Sequence, residues 1–310
     1  MKLGIQSAIL DGMSLEEVID FAAENNFDCV EVMCWPKGKA ERKYAGVTHL
    51  DVVGFNAQEA AKINALCQLK NVEISALGYY PNALCPDHDE AQIYIDHIMR
   101  VIDAAHLLGI NLVTTFIGND WHKNVDQNWP RFKEVWGPIL EYAEQKNTRI
   151  GIENCAMFFT DDEWPAGKNI AYSPKIWRRM FAEFNTDYFG LNYDPSHLVW
   201  MQMDHEKPWE EFRCKMFHAH AKDVTVDKDK LDDVGTMANP LEYHTPRIPG
   251  HGDINWQHYI EKMKSAGFDG AFCIEVEDCD YEGSIENRKR ALIESGNHLR
   301  QFIGSEQDGR

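Results

Sequence analysis

Strand-like runs alternate with helix-period segments along this chain, and the alternation completes eight cycles. The apolar runs cover residues 3–9, 29–34, 72–79, 111–117, 149–155, 189–193, 216–221 and 271–276. Helix-period segments follow them, starting at Ser14, Asn56, Asp89, Asn128, Ser173, Pro208, Asn255 and Ser284. Strict alternation demands a parallel sheet, and eight repeats are the number that closes such a sheet into a (β/α)8 barrel. An open doubly wound sheet would also alternate, but no G-x-G-x-x-G follows the first strand. Helix ends carry independent marks: Ser14 stands three residues before Glu17 as a capping box, Pro174 follows Ser173, and Gly109 and Gly267 sit where helices should stop. The expected architecture is one α/β domain, a (β/α)8 TIM barrel over residues 1–303 with a tail at 304–310, since no linker rich in Pro, Gly or Ser divides it.

Composition limits the partners. Against 31 Lys and Arg stand 50 Asp and Glu, a formal charge of −19 that repels a phosphate backbone or an anionic membrane surface. Nucleic acid and membrane are therefore not expected, and a small molecule is. The eight cysteines include no C-x-x-C pair and several lie in apolar strand patterns, as reduced buried thiols do. The start, MKLGIQSAILDGM, lacks the pattern of a secretory signal, and no run approaches 18 apolar residues. A cytoplasmic location is the expectation. Nine Trp leave material for an apolar contact between copies, so a homo-oligomer is also expected, though no segment marks its interface.

The second half of the chain carries the chemistry. Four successive strand runs each end in a hard donor: Glu153 in RIGIENC, Asp194 in FGLNYDPSHL, His220 in KMFHAHAKD and Glu275 in AFCIEVED. Alone, each reads as a strand-end carboxylate or a satisfied core histidine. Together, at the ends of the fifth to eighth strands, they meet at one barrel mouth and suit one divalent cation. Oxygen and nitrogen donors without thiolate favour Mn²⁺, with Mg²⁺, Co²⁺ or Zn²⁺ as the other candidates. The long strand-to-helix loops, at 35–55, 156–172 and 222–253, fall on this same face.

The motifs IEN at 152–154, DPSHL at 194–198, HAHAKD at 218–223, PGHGDINW at 249–256 and CIEVED at 273–278, in this order, resemble the xylose isomerase-like sugar isomerases and epimerases. That family comprises metal-dependent barrels that include ketose 3-epimerases and inositol-pathway enzymes, and the resemblance spans nearly the whole chain. It implies that Glu153, Asp194, His220 and Glu275 hold the metal, that Glu153 and Glu275 double as acid and base, and that His197 contacts a substrate oxygen. Elementary chemistry agrees: removing a proton from carbon next to a ketone creates an enediolate, whose charge a cation takes up.

Other residues remain open between two roles. His218 and Lys222 share the phase of His220, so they point toward the mouth as substrate contacts, or serve as an inner packing residue and a partner of Asp223. Arg247, near His251 in the long seventh loop, binds substrate oxygens or forms a surface ion pair. Asn154 orients a ligand or a hydroxyl. Trp35, with Tyr79, Phe116 and Trp121, walls a sugar or belongs to the core, while Glu31 and His122 are further polar groups near strand ends. The expected activity is a metal-dependent sugar isomerase or epimerase acting on an unphosphorylated ketose or keto-polyol, since no Gly-rich anion loop stands out. The rival is a lyase that cleaves 3-keto-glycosides by the same proton abstraction followed by elimination. An abasic-site endonuclease would need more His ligands and a basic surface, and a non-catalytic sugar-binding protein would need the four donors only for structure.

Overall fold

The computed structural model describes residues 1–38, 46–158 and 167–304. Parts of the loops read at 35–55 and 156–172, and the tail beyond residue 304, lie outside the described residues. The first half of the chain runs β1 (Lys2–Gln6), α1 (Leu15–Glu24), β2 (Cys29–Met33), α2 (Ala57–Lys70), β3 (Glu73–Gly78), α3 (His88–Leu108), β4 (Leu112–Thr115) and α4 (Val125–Gln145). It continues with β5 (Arg149–Glu153), α5 (Pro174–Glu183), β6 (Phe189–Tyr193), α6 (Pro195–Trp200), α7 (Lys207–Glu211) and β7 (Met216–Ala221). The remainder comprises β8 (Asp223–Val226), α8 (Lys228–Val234), β9 (His244–Arg247), α9 (Trp256–Ser265), β10 (Ala271–Ile274) and α10 (Ile285–Ile303). β1, β10, β7, β6, β5, β4, β3 and β2 form a closed barrel whose strand pairs are all parallel. The eight expected strands are the eight strands of this barrel.

Helix boundaries follow the local signals. Ser14 and Glu17 make the reciprocal capping box, with Glu17 N–H donating to Ser14 Oγ at 3.3 Å and Ser14 N–H to Glu17 Oε2 at 2.7 Å. Gly109 closes α3 at φ +74°, the left-handed conformation a side chain resists. The fourth helix begins at Val125, earlier than the pattern suggests, because Asn124 caps it through Gln127 N–H. The first strand is shorter than its apolar run: Ser7–Leu10 turn into a 3₁₀ segment. The hydroxyl of Ser7 accepts from Met33 N–H at 3.0 Å there, tying the end of β1 to the end of β2.

Side-chain alternation sorts the barrel into two environments. Ile5, Val30, Val32, Ile150, Ile152, Phe189 and Leu191 pack outward against the helices in one large core. The interleaved residues face the barrel axis, and there the usual branched aliphatic filling gives way to polar groups: Glu31, Thr114, Asn192, His218 and His220 are all fully buried. A smaller apolar cluster of Ala8, Met33, Tyr80, Phe116, Cys155 and Met157, with half-buried Trp35 against it, gathers just past the strand ends at the mouth.

The long seventh connection, expected as a loop at 222–253, contains a two-stranded sheet. β8 and β9 pair antiparallel from Asp223↔Arg247 to Val226↔His244. Asp223 anchors this arm, its carboxylate accepting from the N–H groups of Val224, Gly250 and Ile254 at 2.9, 3.0 and 3.1 Å and from Trp256 Nε1 at 2.7 Å. Among the described residues no helix is long and apolar enough to cross a membrane. Asp223→Ala leaves these four donors without their acceptor, so urea unfolding should show a loss of at least about 3 kcal/mol; a loss below about 1 kcal/mol would mean that the arm is anchored elsewhere.

Candidate metal centre

Four neighbouring strands deliver the four donors. Glu153 ends β5, Asp194 follows β6, His220 lies near the end of β7 and Glu275 follows β10. One ligand atom from each lies within 4.8 Å of the other three, and all four residues are buried. His220 Nδ1 is 3.3 Å from Glu275 Oε2 and 3.8 Å from Glu153 Oε1. Donors about 2.1 Å from a shared ion stand roughly 3.0–3.4 Å apart, so only small adjustments separate this arrangement from a coordination shell.

Three of the four donors are held by one atom and offer another. Asp194 Oδ1 caps α6 by accepting from Ser196 N–H at 2.8 Å, while the buried Oδ2 faces the Lys222 ammonium at 3.1 Å. Gln6 Nε2 donates to Glu275 Oε1 at 3.0 Å, and the buried Glu275 Oε2 lies 2.9 Å from the Lys222 ammonium. His220 Nε2 lies 2.6 Å from Glu31 Oε2, leaving Nδ1 buried and unpartnered. Burying charged atoms is costly unless opposite charge faces them; Lys222 faces two of these atoms, and a cation at their centre would add to that compensation.

The charge balance points the same way. Asp194, Glu275 and Glu277 surround the Lys222 ammonium, which lies 3.1 Å from Asp194 Oδ2, 2.9 Å from Glu275 Oε2 and 2.9 Å from Glu277 Oε2, while Glu31 and Glu153 face His220. Burial opposes the charge of Lys222, but Asp194, Glu275 and Glu277 hold its pKa well above the ordinary lysine range. Burial would also raise the Asp194 carboxyl, yet Lys222 and His197 hold it well below its usual value. Glu275, pushed up by burial and down more strongly by Lys222 and His220, ends at about 2. Carboxylates outnumber the ammonium and imidazole groups they face, a balance that fits a divalent ion.

Supporting groups fix the donors. Asn154 donates from Nδ2 to Asp194 O and accepts from Asp194 N–H, both at 2.8 Å, so it positions Asp194 and does not reach into the mouth. His197 accepts from Trp200 Nε1 at 3.3 Å through Nδ1 and turns Nε2 toward Glu153 Oε1 and Asp194 Oδ2, at 3.4 and 3.3 Å. Burial would raise the Glu31 carboxyl, but the facing His220 holds it below the usual range. Glu31 also accepts from Thr114 Oγ1 at 2.5 Å and from the Tyr80 hydroxyl. A carboxylate that fixes the far nitrogen of a histidine is a recurrent support of metal ligands.

The remaining residues separate. Lys222 and His218 both face inward, but His218 sits deeper, its Nδ1 2.9 Å from Asn192 Oδ1 and its Nε2 3.1 Å from Ser75 Oγ. Arg247 is held by Asp278 Oδ1 at 3.3 Å and Asp280 Oδ2 at 2.7 Å, the ion-pair alternative for this residue. Trp35 packs against the mouth's apolar cluster on one side and edge-on against Tyr79 of the large core, at 5.0 Å, on another. Trp121 is partly exposed and lies beside His122, apart from the cluster. Gln6, Tyr80, Asn192 and Glu277 escaped the sequence reading, although Glu277 shares the strand-phase of Glu275 two residues before it.

Residues 19–302 match the family of xylose isomerase-like TIM barrels. The chain belongs to this family. Among curated relatives, the uncharacterized protein YfiH of Bacillus subtilis (strain 168) is 23% identical over 305 residues, covering 90% of this chain and 93% of that protein. An inosose dehydratase of Geobacillus thermodenitrificans (strain NG80-2) is 22% identical over 202 residues, covering 55% of this chain and 67% of its own. The fold recurs in the crystal structure of a D-tagatose 3-epimerase-like protein, with TM-score 0.70, 20% identity and 98% and 97% of the two chains covered. It recurs also in the IolI protein with a bound zinc atom, with TM-score 0.68, 16% identity and 97% and 99% covered. The proteins it is similar to are thus named as an epimerase-like protein and as a dehydratase.

Two expectations follow for the metal centre. Glu31→Gln removes the anionic partner of His220, and calorimetric titration with Mn²⁺ should show affinity weakened roughly 10–100-fold; unchanged affinity would detach Glu31 from the site. In the metal-free chain burial opposes the charge of His220, but Glu31 and Glu275 hold the imidazole protonated well above its ordinary pKa. A cation needs Nδ1 bare, so its binding expels a proton: affinity should fall as pH is lowered and rise as pH is raised through the histidine range and above it. Affinity independent of pH across that range would contradict His220 as a ligand.

Proposed function

We propose that this chain is a divalent-metal-dependent sugar isomerase or epimerase, acting on a ketose or keto-polyol by moving a proton at the carbon next to the ketone through an enediolate. The observation that carries this reading is the convergence of the buried donor atoms Asp194 Oδ2, His220 Nδ1 and Glu275 Oε2 on one point beside Glu153. Those four residues would hold the ion, with Mn²⁺ as the first choice for a hard, thiolate-free set. When bound, the cation supplies Lewis acidity toward the substrate's carbonyl and neighbouring hydroxyl oxygens.

The chain's own residues supply the proton transfers. Glu153 and Glu275 stand on β5 and after β10, separated around the barrel by β6 and β7, and so flank a substrate seated between them. Glu275 is ionised throughout the physiological range, as a proton acceptor must be. Lys222 fixes Glu275 and Asp194 in orientation and adds positive charge where negative charge develops on the substrate. His197 presents Nε2 to a substrate oxygen, because its Nδ1 is already committed to Trp200. The apolar cluster of Met33, Tyr80, Phe116, Met157 and Trp35 keeps water from one side of the mouth. Lys222 and Arg247 are both engaged by carboxylates, which favours an uncharged polyol over a sugar phosphate.

A second reading shares the proton abstraction and ends in elimination, as in a dehydratase or in cleavage of a 3-keto-glycoside. The buried Lys222 ammonium, placed to protonate a leaving group, favours it, as does the similarity to an inosose dehydratase. Incubation of the Mn²⁺-loaded protein with free ketoses, keto-inositols and 3-keto-glycosides in D₂O, followed by NMR, distinguishes the readings. Epimerised sugar with solvent deuterium beside the ketone is expected; release of water or an aglycone without epimer would select elimination, and turnover with no solvent label would contradict proton transfer. Glu153→Gln and Glu275→Gln should each lower kcat by roughly 10²–10⁴-fold, and ordinary turnover in either would remove its acid/base role.

A further inference from the structure

The opposite end of the barrel holds a cleft of about 630 Å³, opening among the strand N-termini away from the metal centre. Its origin is visible in the strand register. β3 pairs with β4 only at Leu77↔Val113 and Gly78↔Thr114, so the two strands part below those pairs. Register shifts between Val30 and Glu31 and between Leu191 and Asn192 leave Ser75 of β3 and Phe217 of β7 as extra residues, and both line the cleft. Bulges of this kind re-aim side chains. Phe217 lies over Gly190, where an added Cβ would come within 2.6 Å of its ring.

Arg149, the first residue of β5, lines the same cleft with its guanidinium 4.5 Å from the Phe217 ring centroid. Its Nε is buried without a hydrogen-bond partner. The other half-buried arginines described here meet oxygens: Arg131 meets Glu134, Arg247 meets Asp278 and Asp280, Arg288 meets Glu282 O, and Arg300 meets Asn25 O. Among the described residues Arg149 meets only the ring, in a chain carrying 50 acidic residues. Burial lowers its pKa, and no carboxylate offsets that effect. Of the acidic residues on the rim, Glu73 is paired with Lys2 at 2.5 Å and Asp269 is exposed. A guanidinium stacked on an aromatic face keeps its N–H edges free for a planar or tetrahedral oxyanion.

We propose that this N-terminal cleft is a second binding site, distinct from the metal centre, for a small anion whose carboxylate or phosphoryl group is gripped by Arg149 over Phe217. Ser75 Oγ closes its inner end, and the amide side chains of Asn64, Gln68, Asn71 and Asn111 supply hydrogen-bonding groups for the rest of the molecule. Calorimetric titration of the full chain with malonate and with inorganic phosphate tests this and tells which group the site takes. Saturable binding of at least one anion is expected, weakened at least about tenfold in Arg149→Met, weakened less in Arg149→Lys, and unchanged in Lys222→Met, whose lost cation lies at the mouth. If Arg149→Met fails to fold, judged by circular dichroism, Arg149→Lys carries the comparison, since it keeps the charge and loses the fork. Absence of saturable binding for both anions overturns the proposal, as does binding that survives in the Arg149 variants or disappears in Lys222→Met.

Discussion

Closure of the barrel between its first and last strands is the constraint on which the site depends. β1 pairs with β10 from Lys2↔Ala271 to Ile5↔Ile274, and the next residue on each side brings Gln6 Nε2 to Glu275 Oε1 across 269 positions of sequence. Without that seam Glu275 has no fixed place relative to Glu153, Asp194 and His220, which arrive on β5, β6 and β7. Parallel pairing puts all these strand ends on one face. The hydrophobic energy that seats the outward side chains against the helices thereby also pays for holding like charges together.

The polar axis of the barrel gives that assembly its precision. His218, Asn192, His220 and Glu31 form a continuous column of contacts from 2.6 to 3.1 Å. In an interior of low dielectric such a network is costly unless every member is satisfied. At its upper end the column meets the donor atoms of Asp194 and Glu275, both facing Lys222. The lower end meets Ser75 and the cleft that contains Arg149. The two ends are thus chemically opposite, one anionic and suited to a cation, the other offering an unpaired guanidinium.

Most of this fold was legible in the sequence because hydrophobic period and helix caps are local signals. Ser14 with Glu17, and Gly109 after Leu108, mark boundaries through residues a few positions apart. The first strand was read too far because Ala8, Ile9 and Leu10 are apolar and buried in a 3₁₀ turn just as they would be in a strand. The pairing of β8 with β9 was hidden, since each strand has four residues and the partners are separated by a helix and a turn. The donors announced themselves by recurring at strand ends, yet their supports did not. Glu31, Tyr80 and Asn192 meet His220 only through contacts more than 25 residues apart in sequence. Arg247 illustrates the same limit: a substrate contact and an ion pair look alike until Asp278 and Asp280 are brought beside it.

The proposed chemistry requires one cation held at the mouth by four side chains. Anomalous diffraction from crystals soaked in Mn²⁺ tests that claim directly. The expected result is one strong peak per chain within coordination distance of Glu153 Oε1, Asp194 Oδ2, His220 Nδ1 and Glu275 Oε2, with the Glu31 contact to His220 Nε2 retained. A peak elsewhere, or an empty mouth at saturating Mn²⁺ with Lys222 still bridging Asp194 and Glu275, would contradict it.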